Sequence, residues 1–173
     1  ACTAHECGVP WVLDPVAAGL LSFRTSFCRE LLQFRPSVIR GNPSEIISLS
    51  GVPTSSRGTE SSVPASAAID AAKSLALQSQ ATVLVTGEVD YATDGTAVHA
   101  LRTGHPLMTR VTGTGCALGA LCAACMPCAP SPLAAARAAA YIMGEAGRRA
   151  AERTNAPGSF AIALLDELAA DLG

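Results

Sequence analysis

The sequence predicts an α/β protein with a mostly parallel sheet layered between helices. Two observations lead there: short apolar runs that each stop at a polar or charged residue, and helix-spaced apolar residues between those runs. A third, Asp94-Gly95 set between two more runs, predicts an antiparallel hairpin at one edge.

Taken in order, residues 9–13, 37–39 and 82–85 read as strands buried on both faces, with Asp14, Arg40 and Thr86 at their C-terminal ends. Between the first two, residues 23–34 set Phe27, Leu31 and Phe34 at helical spacing. Residues 66–80 then put Ala68, Ile69, Ala72, Leu75 and Ala76 on one helical face. The Ser-, Thr-, Gly- and Pro-rich stretch 51–64 predicts a surface loop. Residues 89–92 and 97–101 form the hairpin strands, joined by a two-residue turn. A helix opens at Gly115 with Leu118, Leu121, Cys122 and Cys125 on one stripe, and the prolines of 126–132 break it. Another runs to about Arg153, and a last one aligns Phe160, Leu164, Leu165, Leu168 and Leu172. No repeat or boundary interrupts the pattern, so residues 1–173 read as one domain.

The chain has 173 residues, 49% of them hydrophobic and 15% charged, with a net charge of −2, which argues against a disordered chain and against an electrostatic footprint for nucleic acid. A small-molecule partner is the expectation. Seven cysteines, an odd number, without a basic-then-apolar leader, point to a reducing cytoplasm rather than a disulfide framework. The alanine-rich stretch from Leu133 is broken by Arg137, Glu145 and Arg148, so no run reaches the roughly 20 apolar residues of a membrane span. Ala1 stands where methionine would open a native chain, close before the first strand, and an absent N-terminal portion is expected.

The strongest chemical signal is Val111-Thr112-Gly113-Thr114-Gly115-Cys116 ahead of a helix. A glycine turn opening a helix exposes backbone N–H groups where the helix dipole is positive, and a phosphate can sit there. No Gly-Lys-Ser/Thr follows, so this is neither a Walker A loop nor a dinucleotide fingerprint. The same turn would also serve simply to bring a helix close. Cys116 falls in the first helical turn, a position that favours a thiolate able to take a proton from an attacking alcohol; a small buried hydrophobe is the alternative.

Arg40-Gly41-Asn42-Pro43-Ser44-Glu45 carries two compatible readings. As a helix start, Asn42 caps, Pro43 takes the first helical position and Glu45 reaches back three residues. As a site, Asn42 and Glu45 organise hydrated magnesium while Arg40 clamps a phosphate, with Asp14 as a second carboxylate and Thr86 offering a hydroxyl. Cys122, Cys125 and Cys128 have a spacing that suggests a metal, but no fourth ligand lies nearby. His105, just before Pro106, is placed to line the site.

Four segments in this order, residues 11–16, 39–46, 85–90 and 105–116, resemble hydroxyethylthiazole kinase, and Pro157-Gly158-Ser159-Phe160 extends the likeness to nearly the whole chain. The resemblance implies a ribokinase-like three-layer sandwich, incomplete at the N-terminus. It also implies ATP-dependent phosphorylation of 4-methyl-5-(2-hydroxyethyl)thiazole in thiamine biosynthesis or salvage. By motif, Arg40 and Thr86 would contact ATP, Asn42 and Glu45 would match the Asn-x-x-Glu magnesium motif, and Asp14 would stand near the metal. Gly113 would touch the thiazole alcohol, Gly113 to Cys116 would form the anion hole, and Cys116 would be the catalytic base. A homotrimer is implied by family analogy. Two alternatives stay open: another small-alcohol kinase of the superfamily, of the hydroxymethylpyrimidine type, and a truncated, catalytically silent subunit.

Overall fold

A computed structural model of the chain describes residues 1–51 and 64–171. Val12–Leu13 (β1), Val38–Gly41 (β2) and Thr82–Val85 (β3) pair in parallel, with Val12 beside Val38 and Val38 beside Thr82. Asp90–Thr93 (β4) and Val98–Leu101 (β5) continue the sheet as an antiparallel hairpin in the order β1-β2-β3-β4-β5. The expected parallel core with an antiparallel edge is present.

Side-chain alternation along these strands builds two cores. Val38, Leu84 and Ala92 face Thr114–Cys125 (α5), Pro132–Arg153 (α6) and Pro157–Asp171 (α7), while Leu13, Ile39, Val83 and Val85 face the other layer. That second layer holds Ser22–Leu31 (α2), Pro43–Ser50 (α3) and Ile69–Ser79 (α4); a short helix, Cys2–Glu6 (α1), precedes β1. Helices on both faces let the strands be apolar throughout, which is why β3 is buried at all four positions. On α6 the inward residues are mostly alanine and glycine, so the helix packs close to the sheet and to its neighbours. The segment between β5 and α5 rests on this helix: a Cβ on Gly144 would fall 2.0 Å from Thr103 Oγ1, and one on Gly147 would fall 2.4 Å from Met108 Sδ.

Several sequence expectations shift in detail. The first strand keeps only Val12–Leu13, since Pro10 has no N–H to give a ladder. The second starts at Val38 and runs on through Arg40 to Gly41, which fixes the Arg40 backbone inside the sheet. The hairpin turn is four residues, with Thr93 opposite Val98, because Asp94 Oδ1 accepts from Thr96 N and Ala97 N and holds a wider loop. Those bonds, the Thr96 hydroxyl first, lower the Asp94 carboxyl to about 2.

Phe27 does not turn inward: Cys28 is the buried residue of α2, and Phe27 stacks on Phe23 at the surface, ring centroids 6.2 Å apart. Leu165 is likewise exposed, because Phe160 and Leu164 follow a four-residue step that Leu165 leaves by about 100°. The expected loop at 51–64 falls almost wholly, and Leu172 entirely, outside the described residues. Among the described residues no helix is long and apolar enough to cross a membrane.

Candidate functional site

Three elements converge on Arg40. β2 carries its backbone, Asp14 follows β1, and Thr86 follows β3, so parallel pairing brings three strand ends to one edge of the sheet. Arg40 Nη1 donates to Asp14 Oδ2 at 3.3 Å and Nη2 donates to Thr86 Oγ1 at 2.9 Å; the threonine hydroxyl in turn donates to Gly41 O. The guanidinium lies against the first turn of α5, where a Cβ on Gly115 would come within 2.4 Å of Nη1. Only glycine leaves that room. A cation beside the positive pole of a helix is electrostatically unfavourable, and the half-buried Asp14 offsets it in part. Arg40 Nε and Asp14 Oδ1 are buried and have no hydrogen-bond partner among the described residues. This junction has valence left over, and a guanidinium N–H beside an uncapped helix start is a donor set that suits an anion.

The turn that opens α5 has Gly113 as N-cap at φ +95°, a conformation that glycine takes without strain. No side chain caps the helix, so the N–H groups of its first turn are left without a side-chain partner among the described residues, and a Cβ on Gly113 would meet nothing within 4 Å. Cys116, one residue past Gly115, is exposed.

The neighbouring motif behaves differently. Asn42 Oδ1 accepts from Glu45 N at 2.9 Å and from Ser44 Oγ at 2.8 Å, and Glu45 Oε2 accepts from Asn42 N at 2.8 Å. Glu45 Oε1 accepts from Ala17 N at 3.0 Å, tying the loop after β1 to α3. The capping-box reading therefore holds, with Pro43 at the first helical position. Nearly every polar atom of this motif already has a protein partner.

A cavity of about 630 Å³ opens beside the junction, within the size range of sites for nucleotide-sized molecules. Of the sequence-predicted residues it is lined by Arg40, Thr86, Thr114 and Gly115, and also by His105. Asp14, Asn42, Glu45, Gly113 and Cys116 are not among its lining residues; Asp14 reaches it through the Arg40 ion pair. The far wall comes from the segment after β5 and from α6, with Thr103, Met108, Met143 and Gly144.

Sequence reasoning missed that wall and also Asp90, a lining carboxylate whose Oδ1 accepts from Gly87 N at 2.9 Å. Desolvation pushes the Asp90 carboxyl up to about 6, against the opposing pull of the Gly87 bond and the Arg40 charge. Its signal was available: Asp90 closes the segment 85–90 that carried part of the family resemblance.

The cysteine triplet is not a centre. Burial pushes Cys122 up to about 12, making it a neutral core side chain, whereas Cys128 is exposed. Among the described residues no three His, Cys, Asp or Glu side chains gather closely enough to hold a metal by themselves.

Solved and named proteins are similar to this chain in fold and sequence. A hydroxyethylthiazole kinase from Pyrococcus horikoshii superposes with a TM-score of 0.82 at 38% identity, covering 95% of this chain and 61% of that one. The Bacillus subtilis pyridoxal kinase, solved as an ADP complex, superposes at 0.55 with 26% identity over 76% of this chain and 50% of that one. In sequence, the hydroxyethylthiazole kinase of Akkermansia muciniphila is 50% identical over 165 residues, 95% of this chain and 61% of the relative. That of Tolumonas auensis is 51% identical over 168 residues, 96% of this chain and 63% of the relative. The chain thus spans about six-tenths of the length of these relatives. With the hydroxyethylthiazole kinase family model matching residues 1–171, and with an arginine packed against a glycine turn beside a nucleotide-sized cavity, the chain belongs to the hydroxyethylthiazole kinase family.

Proposed function

We propose that this chain, as a single domain over residues 1–173, supplies the nucleotide and phosphoryl-transfer part of a kinase that uses ATP to phosphorylate 4-methyl-5-(2-hydroxyethyl)thiazole in thiamine metabolism. The observation that carries the reading is the Arg40–Gly115 junction: a guanidinium with an unpartnered Nε, set against an uncapped helix start beside a cavity of about 630 Å³. Family membership adds the reaction type.

The residues take the following roles. Arg40 and Thr86 bind the ATP phosphates, and the N–H groups of Gly113 to Cys116 form the anion hole for the transferring group. The thiazole alcohol approaches Gly113 on the open side of the turn. Its hydroxyl oxygen forms a bond to the γ-phosphorus while the bond to the bridging β,γ-oxygen breaks and ADP leaves; Cys116 Sγ takes the hydroxyl proton. The loose transition state of such transfers places more weight on positioning and charge than on proton removal. Thr114 and Gly115 of this turn line the cavity while Gly113 and the exposed Cys116 do not, which suits a nucleotide and an acceptor that meet the turn from different sides.

Magnesium, when bound, would supply positive charge that neutralises the phosphates. The donor set fits a hydrated ion: Asp14 offers the unpartnered Oδ1, and each Glu45 oxygen keeps one lone pair beyond its backbone bond. Asn42, whose Oδ1 already accepts twice, would act through the ion's water shell. The cytoplasm and a homotrimer complete the proposal, the trimer by family analogy.

The test is phosphorylation by the full-length protein with MgATP and three acceptors: the hydroxyethylthiazole, hydroxymethylpyrimidine and pyridoxal. Thiazole phosphate and ADP should form in equal amounts. Preference for the pyrimidine would reassign the acceptor, and nucleotide binding without turnover would identify a silent subunit.

A further inference from the structure

The turn between β3 and β4, residues 86–89, holds Thr86 toward Arg40, and its geometry is fixed at both ends. At the near end Thr86 N donates to Gly41 O at 2.9 Å and Thr86 Oγ1 accepts from Arg40 at 2.9 Å. At the far end Gly87 N donates to Asp90 Oδ1 at 2.9 Å. Gly87 is also pressed on Ala65, where an added Cβ would come within 3.0 Å of the alanine Cβ. The carboxylate that fixes the turn lines the same cavity as Arg40, Thr86 and Gly115.

We infer that Asp90 is a positioning residue for the nucleotide phosphates: by accepting the Gly87 N–H it holds the 86–89 turn so that the Thr86 hydroxyl and the Arg40 guanidinium meet the anion together. The inference rests on the kinase reading above and adds a residue to it. A negative charge lining an anion pocket is a poor direct ligand for phosphate, so its use lies in what it holds in place. Its burial supports this: desolvation raises its pKa, so the ionised form is retained at a cost, as functional sites often require.

The experiment uses the full-length protein with Asp90→Asn, Asp90→Leu and Asp90→Ala. Asparagine keeps an acceptor at the same reach, leucine keeps the volume without one, and all three remove the charge equally. Binding of β,γ-methylene-ATP with magnesium and of adenosine is measured by calorimetry, and melting temperature checks the fold. The leucine and alanine variants should bind the triphosphate about tenfold more weakly than the asparagine variant, the usual magnitude for one lost hydrogen bond in such a setting. Adenosine affinity should be the same in all. Equal triphosphate affinity for asparagine and leucine, or an equal loss on adenosine, would overturn the positioning role and leave the kinase reading standing. A wild-type protein that binds no triphosphate would remove both.

Discussion

Two regions only a few residues apart in sequence carry the same kinds of side chain and end in opposite states. In the Asn42–Glu45 cap, the amide oxygen accepts twice and both carboxylate oxygens accept from backbone N–H groups. At the Arg40 junction, an ion pair of 3.3 Å leaves Arg40 Nε and Asp14 Oδ1 buried and unpartnered, against a helix end that no side chain caps. Buried polar groups are normally satisfied, so leftover valence at the junction is what the proposed phosphate binding would use. The lesson is that a cap and a site are told apart by their unused bonds, not by their residue types.

The sharpest way to break the contrast is Gly115→Ala. The added methyl would sit 2.4 Å from Arg40 Nη1, and Arg40 must swing away from both Asp14 and Thr86. Loss of a preorganised anion clamp should cost on the order of 10²–10³ in kcat/KM, with the melting temperature nearly unchanged since alanine favours the helix. Steady-state kinetics and thermal melts check it; an unaffected rate would mean that the junction does not bind the transferring group.

Next in size is Cys116→Ala, expected to lower kcat by about 10²-fold, the lower end for loss of a general base. Cys116→Asp should restore most of that loss, because a carboxylate can accept the same proton. Full activity in the alanine variant would remove Cys116 from the chemistry and leave the helix start as the whole contribution.

Glu45→Gln separates cap from metal. The amide cannot accept at both positions, so one of the Ala17 and Asn42 N–H groups loses its partner, at a cost of about 1–3 kcal/mol by chemical denaturation. If Glu45 also orders hydrated magnesium, the magnesium concentration for half-maximal rate should rise several-fold. An unchanged magnesium titration would assign Glu45 to the cap alone.

How much of this was legible in the sequence follows from what encodes each part. Residues 82–85 form β3 as expected, and α6 ends at Arg153 as expected, because burial on both faces and a proline-bounded helix are local signals. The helix start at Asn42 was legible for the same reason. Phe27 and Leu165 were misplaced because helical spacing says which residues share a face and not which neighbour covers it. The Arg40, Thr86 and Gly115 cluster was assembled from separate motifs, whereas the wall from Thr103 to Gly144 was not. That wall depends on glycines of α6 that admit the segment after β5, a fit between distant residues that leaves no local pattern.

Asp90 offers the smallest and most direct test, because its state depends on pH. Its folded-state pKa, about 6, stands above the usual 3.8, chiefly through desolvation, so the ionised form is penalised by folding. Well above pH 6 that penalty is present in full; it fades as pH falls through about 6 toward 3.8 and vanishes only below that, where the carboxyl is protonated in both states. Asp90→Asn removes the charge and keeps an acceptor for Gly87 N–H. The variant should therefore be more stable than wild type by about 1–3 kcal/mol at pH 8, with the difference shrinking toward zero below about pH 4. Denaturant melts in the two pH ranges check it. A difference that did not change with pH would place its origin in packing rather than charge, and would return Asp90 to the satisfied class that the Asn42–Glu45 cap represents.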